Sequence, residues 1–331
     1  MKRIYLLVSI LIILLLIAFY FVFTGRPGIF KEVDNEFAIM DTAGIRFIEI
    51  RSADQIIILE RLEGKWVINR HFPASSRRIK GLLSLIPRLK INSVVPVSIR
   101  DEIMERLRHD GRRLMILTGK KNPYVAFIYH DSLHTNATYM MAENSDNAYR
   151  MEVPGFRNRD IARLFVDEIN YWREQTIFHL RPDEILSVSL YEPKKPENSF
   201  HLINNGPGDY QLFTNPDSIE IPDPDKEAIE QYLGYFSSVS FEQFVSSGDD
   251  DFSNSLRDEE ADKIIKVRDS RNIETEVKTF MRYTYNRRGV PDPDPDRLYA
   301  VMNNTDTTLL KYVEIDPVLK ETGYFLKDEK K

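Results

Sequence analysis

The chain of 331 residues contains no cysteine. Thiol catalysis, thiolate metal sites, a disulfide framework and a lipid-modified N-terminal cysteine are thereby excluded. Glycine is scarce, at 14 residues, and neither a Gly-rich phosphate loop nor a G-x-S-x-G nucleophile elbow occurs. An excess of positive charge is also missing. The 45 basic and 51 acidic residues leave a net −6, which argues against nucleic acid or an anionic membrane surface as partner. Histidine is sparse, and only His130 and His134 stand close together. They flank a predicted turn, DSLHTN, so their spacing does not place them on one helical face. With Asp131 as the sole nearby carboxylate, they read as loop residues rather than metal ligands.

What is present begins with a stretch that carries no charge. Sixteen of the twenty residues from Ile4 to Phe23 are Leu, Ile, Val or Phe. As a helix it would measure roughly 30 Å, the thickness of a bilayer core. Lys2 and Arg3 precede it, and Tyr5 and Tyr20 lie near its ends. By the positive-inside rule the N-terminus is cytoplasmic and residues from about Thr24 onward are outside. A cleaved signal peptide is the alternative, but the apolar core is longer than about 15 residues and FVFTG is a poor cleavage site.

About 300 residues follow, more than one core usually serves. After a tether at 24–35, strand-like runs at 45–50, 55–62 and 64–68 read as an antiparallel meander. Ser75 and Ser76 stand where they can cap a helix bearing Ile79, Leu82, Leu83, Ile86 and Leu89, and Pro87 should end or kink it. Ser98 and Asp101 resemble a capping pair for a second helix that stops at Gly111. Four strand candidates follow at 113–118, 124–129, 138–142 and 148–153, then a helix over 158–172 with Ile161, Leu164, Phe165, Ile169 and Trp172 on one face.

The pattern then starts again. Residues 185–190 match 45–50, and Gly208-Asp-Tyr210 stands where Gly64-Lys-Trp66 stood. Asp223, with Pro224 behind it, opens a helix. At an offset of 150, IKGLLSLIPRLKINSVV (79–95) lies over IEQYLGYFSSVSFEQFV (229–245), and 114–117 over 264–267. Strands recur at 277–283, 298–302 and 308–315. This reads as a tandem duplication. The acidic, Ser-rich segment 246–262 replaces the second helix and reads as a mobile loop.

Two carboxylate runs invite a cation reading. Asp292, Asp294 and Asp296 alternate as in a calcium loop, but Arg297 and Asn303 stand where an EF-hand needs Gly and Glu. The run reads as a rigid hairpin connection. Asp249, Asp250 and Asp251 read as a solvated charge run. Cation binding at either run stays open, as does a glycosidase-type carboxylate pair, which spacing alone does not single out.

Several runs taken in order carry a resemblance. They are Trp66-Val-Ile-Asn69, the helix end LLSLIPRL before Val94-Val95-Pro96-Val97, Thr138-Tyr-Met-Met141, Val153-Pro-Gly-Phe156 and Tyr171-Trp-Arg173. From about Glu36 to Val245 the chain resembles the bacterial domain-of-unknown-function family 4340, in its Bacteroidota-like branch. It departs where His130-Asp-Ser-Leu-His-Thr-Asn136 replaces the usual Gly-rich turn. The resemblance implies one membrane helix, an extracytoplasmic α+β part, and companionship with ABC-type transport components, gliding-related ones included. It implies no catalytic residues.

The expected architecture is α+β: an N-terminal transmembrane helix and two tandem repeated modules of mainly antiparallel sheet with helices on one face. The expected segments are 1–23 (cytoplasmic tip and anchor), 24–35 (tether), 36–172 (module 1) and 173–331 (module 2). The expected role is a non-catalytic accessory or scaffold protein, held in the bacterial inner membrane through Ile4 to Phe23. Its periplasmic modules would bind a partner of an envelope complex. A periplasmic small-ligand or glycan-binding module, using a cleft between the modules, is the alternative, and a carboxylate-based hydrolase ranks third. No catalytic residue, cofactor or metal ligand is assigned.

Overall fold

The computed structural model describes residues 37–119, 123–132, 134–155, 161, 164–215, 217–245, 255–285 and 288–327. The chain divides into unit 1, residues 1–174, and unit 2, residues 175–331. The expected architecture needs correction. Strand outweighs helix, and the described residues are mostly antiparallel sheet in large sheets. Among them no helix is long and apolar enough to cross a membrane. The stretch Ile4 to Phe23 lies outside the described residues.

Unit 1 is built on nine strands. In chain order these are β1 (Phe47–Arg51), β2 (Ile56–Leu62), β3 (Lys65–Ile68), β4 (Phe72–Pro73), β5 (Lys90–Val94), β6 (Arg112–Leu117), β7 (Tyr124–Asp131), β8 (Ala137–Ala142) and β9 (Tyr149–Glu152). Across the sheet they run β4-β3-β2-β1-β6-β7-β8-β9-β5. Helix α1 (Ser76–Leu85) buries Ile79, Leu82 and Leu85. Its N-cap Ser75 makes no side-chain cap bond, and the helix tightens into a 3-10 turn at Ile86–Arg88, which accommodates Pro87. Helix α2 (Val97–His109) starts after Pro96, not at a Ser98–Asp101 cap.

These helices do not share a face, contrary to expectation. In β8, Met140 joins the core with Ile79 and Leu82, while Tyr139 and Met141 join a second core with Ile103 and Leu107 of α2. Successive strand residues point to opposite faces, so the sheet is covered on both sides here. That explains why Ala137–Met141 is buried throughout instead of alternating. The helix expected over 158–172 is reduced, among the described residues, to α3 (Ile169–Trp172). Ile161, Phe165 and Trp172 are still buried, and the Trp172 indole N–H donates to the Val166 carbonyl at 2.7 Å. Apolar spacing thus anchored irregular backbone, not one continuous helix.

Unit 2 contains β10 (Thr176–Phe178), β11 (Ile185–Tyr191), β12 (Phe200–Gly206), β13 (Asp209–Thr214), β14 (Val239–Ser240), β15 (Gln243–Phe244), β16 (Lys263–Asp269), β17 (Glu274–Tyr285), β18 (Pro291–Met302) and β19 (Asp306–Lys311). Its large sheet runs β13-β12-β11-β16-β17-β18-β19-β15. This is the strand order of unit 1 without β4, and the single bridge Phe213–Glu220 stands where β4 would be. Helix α4 (Lys226–Gly234) buries Ile229, Tyr232 and Leu233. Its N-cap is Asp225, which accepts from the N–H groups of Glu227 and Ala228, not Asp223. Residues after β19 form α5 (Tyr312–Ile315), so the strand expected to reach 315 ends at Lys311.

Side-chain burial fits an offset of 140 in the first strand: Ile45, Ile48 and Ile50 match Ile185, Val188 and Leu190. An offset of 150 fits the helix, with Ile79, Ile86, Leu89 and Ile91 matching Ile229, Phe236, Val239 and Phe241. In the next strand that offset is one residue out. Ile50 pairs with Leu114, and its counterpart Leu190 pairs with Ile265. A one-residue slip turns every side chain over, so Ile265 and Val267 are the buried residues, not Ile264. Of the expected acidic loop, 246–254 lies outside the described residues. Residues 255–258 are helical, and Leu256 and Ala261 pack on Phe280 and Val301.

Candidate functional site

Strands β17 and β18, twelve residues each, outrun their neighbours. Strand β16 pairs with β17 only over Glu274 to Thr279, and β19 with β18 only over Arg297 to Met302. The rest of the hairpin is an arm. Its exposed side chains include Met281 at 42%, Tyr283 at 58% and Tyr285 at 77% of full exposure. Large apolar groups open to water in this number mark a contact surface more often than a solvated one.

Asp262 ends the ladder on one side of the arm. Its N–H donates to the Thr279 carbonyl at 2.8 Å, and its carboxylate accepts the Met281 N–H at 2.7 Å. The Lys194 ammonium donates to the other carboxylate oxygen at 2.9 Å. On the other side stand Pro291, Pro293 and Pro295. Tyr285 faces Pro291, Thr284 faces Asp292 and Tyr283 faces Pro293. Proline has no N–H to give. The ladder therefore runs through Thr284 and Asp292, and the proline nitrogens face away from β17. That outer edge of β18 offers no donors at the prolines, one of the ways natural sheets blunt an edge.

The run Asp292, Asp294, Asp296 is thus a strand and not a connection. Asp294 is buried, ion-paired with Arg282, and accepts the N–H groups of Asp296 at 2.9 Å and Arg297 at 3.1 Å. The Asp296 N–H bond pulls its carboxyl below the usual carboxylate range; burial opposes this, and Arg297 and Arg282 add to the lowering. Asp249, Asp250 and Asp251 lie outside the described residues.

A cleft of about 730 Å³ opens at the base of the arm, walled by Met281, Leu298, Tyr312, Leu319 and Tyr324. Lys263 is its polar centre, 3.6 Å from Glu192, 3.3 Å from Glu321 and 3.4 Å from the Leu319 carbonyl. Asn198 donates to Glu192 at 3.2 Å. Lys320 sits 5.5 Å from the centre of the Tyr324 ring and, among the described residues, forms no ion pair. Burial raises the Asp316 carboxyl, while Lys263 and Lys320 pull it down. Burial also raises the Tyr312 phenol, with Asp262, Asp316, Asp294 and Tyr283 adding to the effect. Tyr324 is pushed up to about 12 by burial and by Tyr235. Both tyrosines are therefore neutral donors at pH 7.

This arrangement binds more readily than it reacts. Glu192 and Glu321, two carboxylates of the cleft, have the Lys263 ammonium between them, where a scissile bond would have to lie.

Three of the histidines make ordinary hydrogen bonds. His130 meets Thr138 at 3.1 Å, His179 the Ser237 carbonyl at 2.8 Å, and His201 the Ser189 hydroxyl at 2.6 Å. Asp131 accepts the N–H groups of His134 and Thr135 and the Thr135 hydroxyl, which pins the 131–135 turn. Burial pushes its carboxyl up, but those hydrogen bonds win and hold it well below the usual range. Among the described residues no group of three or more His, Asp or Glu side chains is set to hold a metal ion. A hollow of about 650 Å³ near His130 has its main charges, Arg112 and Asp167, paired at 3.0 Å. No family model, curated protein or solved structure matches the chain.

Sequence reasoning missed the cleft entirely. Its wall residues come from five separate places between 192 and 324, so no local spacing announces them. The proline–aspartate run was the one visible signal for the arm.

Proposed function

We propose that this chain is a non-catalytic binding protein that docks a partner protein through the arm and cleft of unit 2. The observation that carries the reading is the arm itself. Met281, Tyr283 and Tyr285 stand exposed on a hairpin that outruns its sheet, beside a cleft with an apolar wall and charged rim. Exposed Tyr and Met beside a charged rim are the composition of interface centres.

The reading extends to location and partner class. The uncharged stretch Ile4 to Phe23, with Lys2 and Arg3 before it, supports attachment to the inner membrane and a periplasmic position for both units. The resemblance to family 4340 favours a subunit of an envelope complex, such as an ABC-type transporter, as the partner.

The test is a mild-detergent pull-down of the full-length, C-terminally tagged chain beside its Met281→Glu/Tyr285→Glu variant, read by mass spectrometry. The reading expects envelope proteins in fixed proportion with the unaltered chain and their loss with the variant. Equal recovery with both would end it.

The cleft favours a second reading, a small-ligand or glycan site, because its volume falls in the range of about 300–1,000 Å³ typical of ligand pockets. A thermal-shift screen of small anions, amino acids and oligosaccharides tests it. A stabilising ligand that Tyr312→Ala abolishes would favour this reading over docking.

A further inference from the structure

We infer that the occupant of this site is an extended, acidic peptide segment of a partner protein, added as a strand to the outer edge of β17 with one apolar side chain in the cleft. The inference rests on the docking reading above and adds to it the mode of recognition.

The two edges of the arm are chemically unlike. The ladder between its strands runs through Thr284 and Asp292, so Tyr283 and Tyr285, opposite Pro293 and Pro291, turn their N–H and C=O groups away from β18. Among the described residues no strand pairs with that edge beyond Thr279. Asp262 fills one position of it, at the Met281 N–H. Past Asp262 no described residue pairs with the edge, while the opposite edge is closed by prolines. A strand edge left open on one side only, with exposed aromatics along it, is built to be completed.

An added strand would extend the line of β16 beyond its first residue, Lys263. Its side chains alternate, so every second one lies over the face that holds Met281 and the cleft. The apolar wall of Met281, Tyr312 and Leu319 suits one aliphatic or aromatic group there. Charge selects the rest. Lys320 forms no ion pair among the described residues, and Lys194 stands beside Tyr283. A carboxylate on the incoming strand complements Lys320, since Lys194 is already paired with Asp262.

A second copy of the chain fits less well. The run past Met281, 282–285, is about 14 Å of strand. A stable dimer needs about 800 Å² from each copy, more than so short a ribbon supplies, whereas a peptide gains its further contact from the cleft.

The test begins with selection of a displayed library of random ten-residue peptides on the full-length chain. Enriched sequences are then synthesised and their binding measured by fluorescence anisotropy. Strand addition expects enriched peptides to carry an acidic residue and an apolar anchor. Tyr283→Pro, which removes an outward N–H, should weaken binding roughly tenfold or more. N-methylation of the peptide at one alternate set of residues should do the same, and at the other set change little. Lys320→Glu should weaken binding most at low salt.

Binding indifferent to Tyr283→Pro and to both methylation sets would overturn strand addition while leaving the docking reading standing. So would failure to select any peptide while the pull-down still recovers a partner. If neither method finds a partner, both ideas fall. A dimer in light scattering that Tyr283→Pro splits would assign the edge to a second copy and overturn the inference. The methylation series keeps the test valid even if the proline variant fails to fold.

Discussion

Arg282 and Asp294 pair across the base of the β17–β18 arm, at the one place where the two strands lose register. Between the Met281–Leu298 and Tyr283–Pro293 pairs, β18 spends residues 294–297 opposite Arg282 alone. Asp294 folds that surplus into a turn by accepting two of its N–H groups, and the guanidinium neutralises the buried carboxylate.

Asp294→Ala should therefore loosen the arm by about 1–3 kcal/mol, the worth of hydrogen bonds to a charged group. Asp294→Asn, which keeps an acceptor, should cost less. Because the folded carboxyl titrates below its ordinary value, the stabilisation is complete above about pH 4 and is lost as pH falls through the depressed value. Hydrogen exchange of the Thr284 and Asp292 amides, which face each other in the arm's ladder, reads this directly against pH. Arm protection that is flat into the acid range in Asp294→Ala, yet falls in the unaltered chain, is the expected contrast.

Asp131 plays the same part in unit 1. It is 3% exposed and accepts two backbone N–H groups and a hydroxyl. Asp131→Ala leaves those donors without their acceptor and should cost about 2–4 kcal/mol. Its depressed carboxyl gives stability that persists to low pH and is lost only as pH falls below the ordinary carboxylate range. Acid unfolding followed by circular dichroism should come at higher pH for the variant.

Asp225, not Asp223, caps α4. Asp225→Ala should destabilise unit 2 by about 1 kcal/mol. Asp223→Asn keeps a residue that tolerates the left-handed backbone at this position, removes only the charge of an exposed ion pair with Lys327, and should leave the thermal melt nearly unchanged. The reverse order of effects would contradict the cap assignment.

The one-residue slip in β16 has a mutational signature. Ile265 is fully buried, so Ile265→Ala should cost about 2–5 kcal/mol. Ile264 is half-buried and should cost about 1 kcal/mol. Urea denaturation of the two variants separates them.

These particulars show where the sequence was readable. Ile45, Ile48 and Ile50 and their matches Ile185, Val188 and Leu190 stood out because the same spacing of apolar residues recurs, and all six are buried. Strand β16 was harder, because Ile264 and Ile265 are both apolar and composition does not say which one faces the core. The expected 158–172 helix failed because apolar residues at helical spacing can anchor irregular chain equally well, as Ile161 and Phe165 do. Two-sided burial in unit 1 was hidden in β8, where Ala137 to Met141, Thr138 included, are all buried. Prolines demote a strand assignment, yet in β18 they sit on an outer edge where no donor is required. The cleft was invisible because Lys263, Glu192 and Glu321 meet only after folding.

Site-specific photo-crosslinking in living cells tests the central claim most directly. A benzophenone amino acid is placed at Tyr283 and Tyr285 in the full-length chain, and at Arg61 of unit 1 as a control. The account predicts one discrete protein adduct from the two arm positions and none from Arg61. No adduct from the arm, or the same adduct from all three positions, would contradict it.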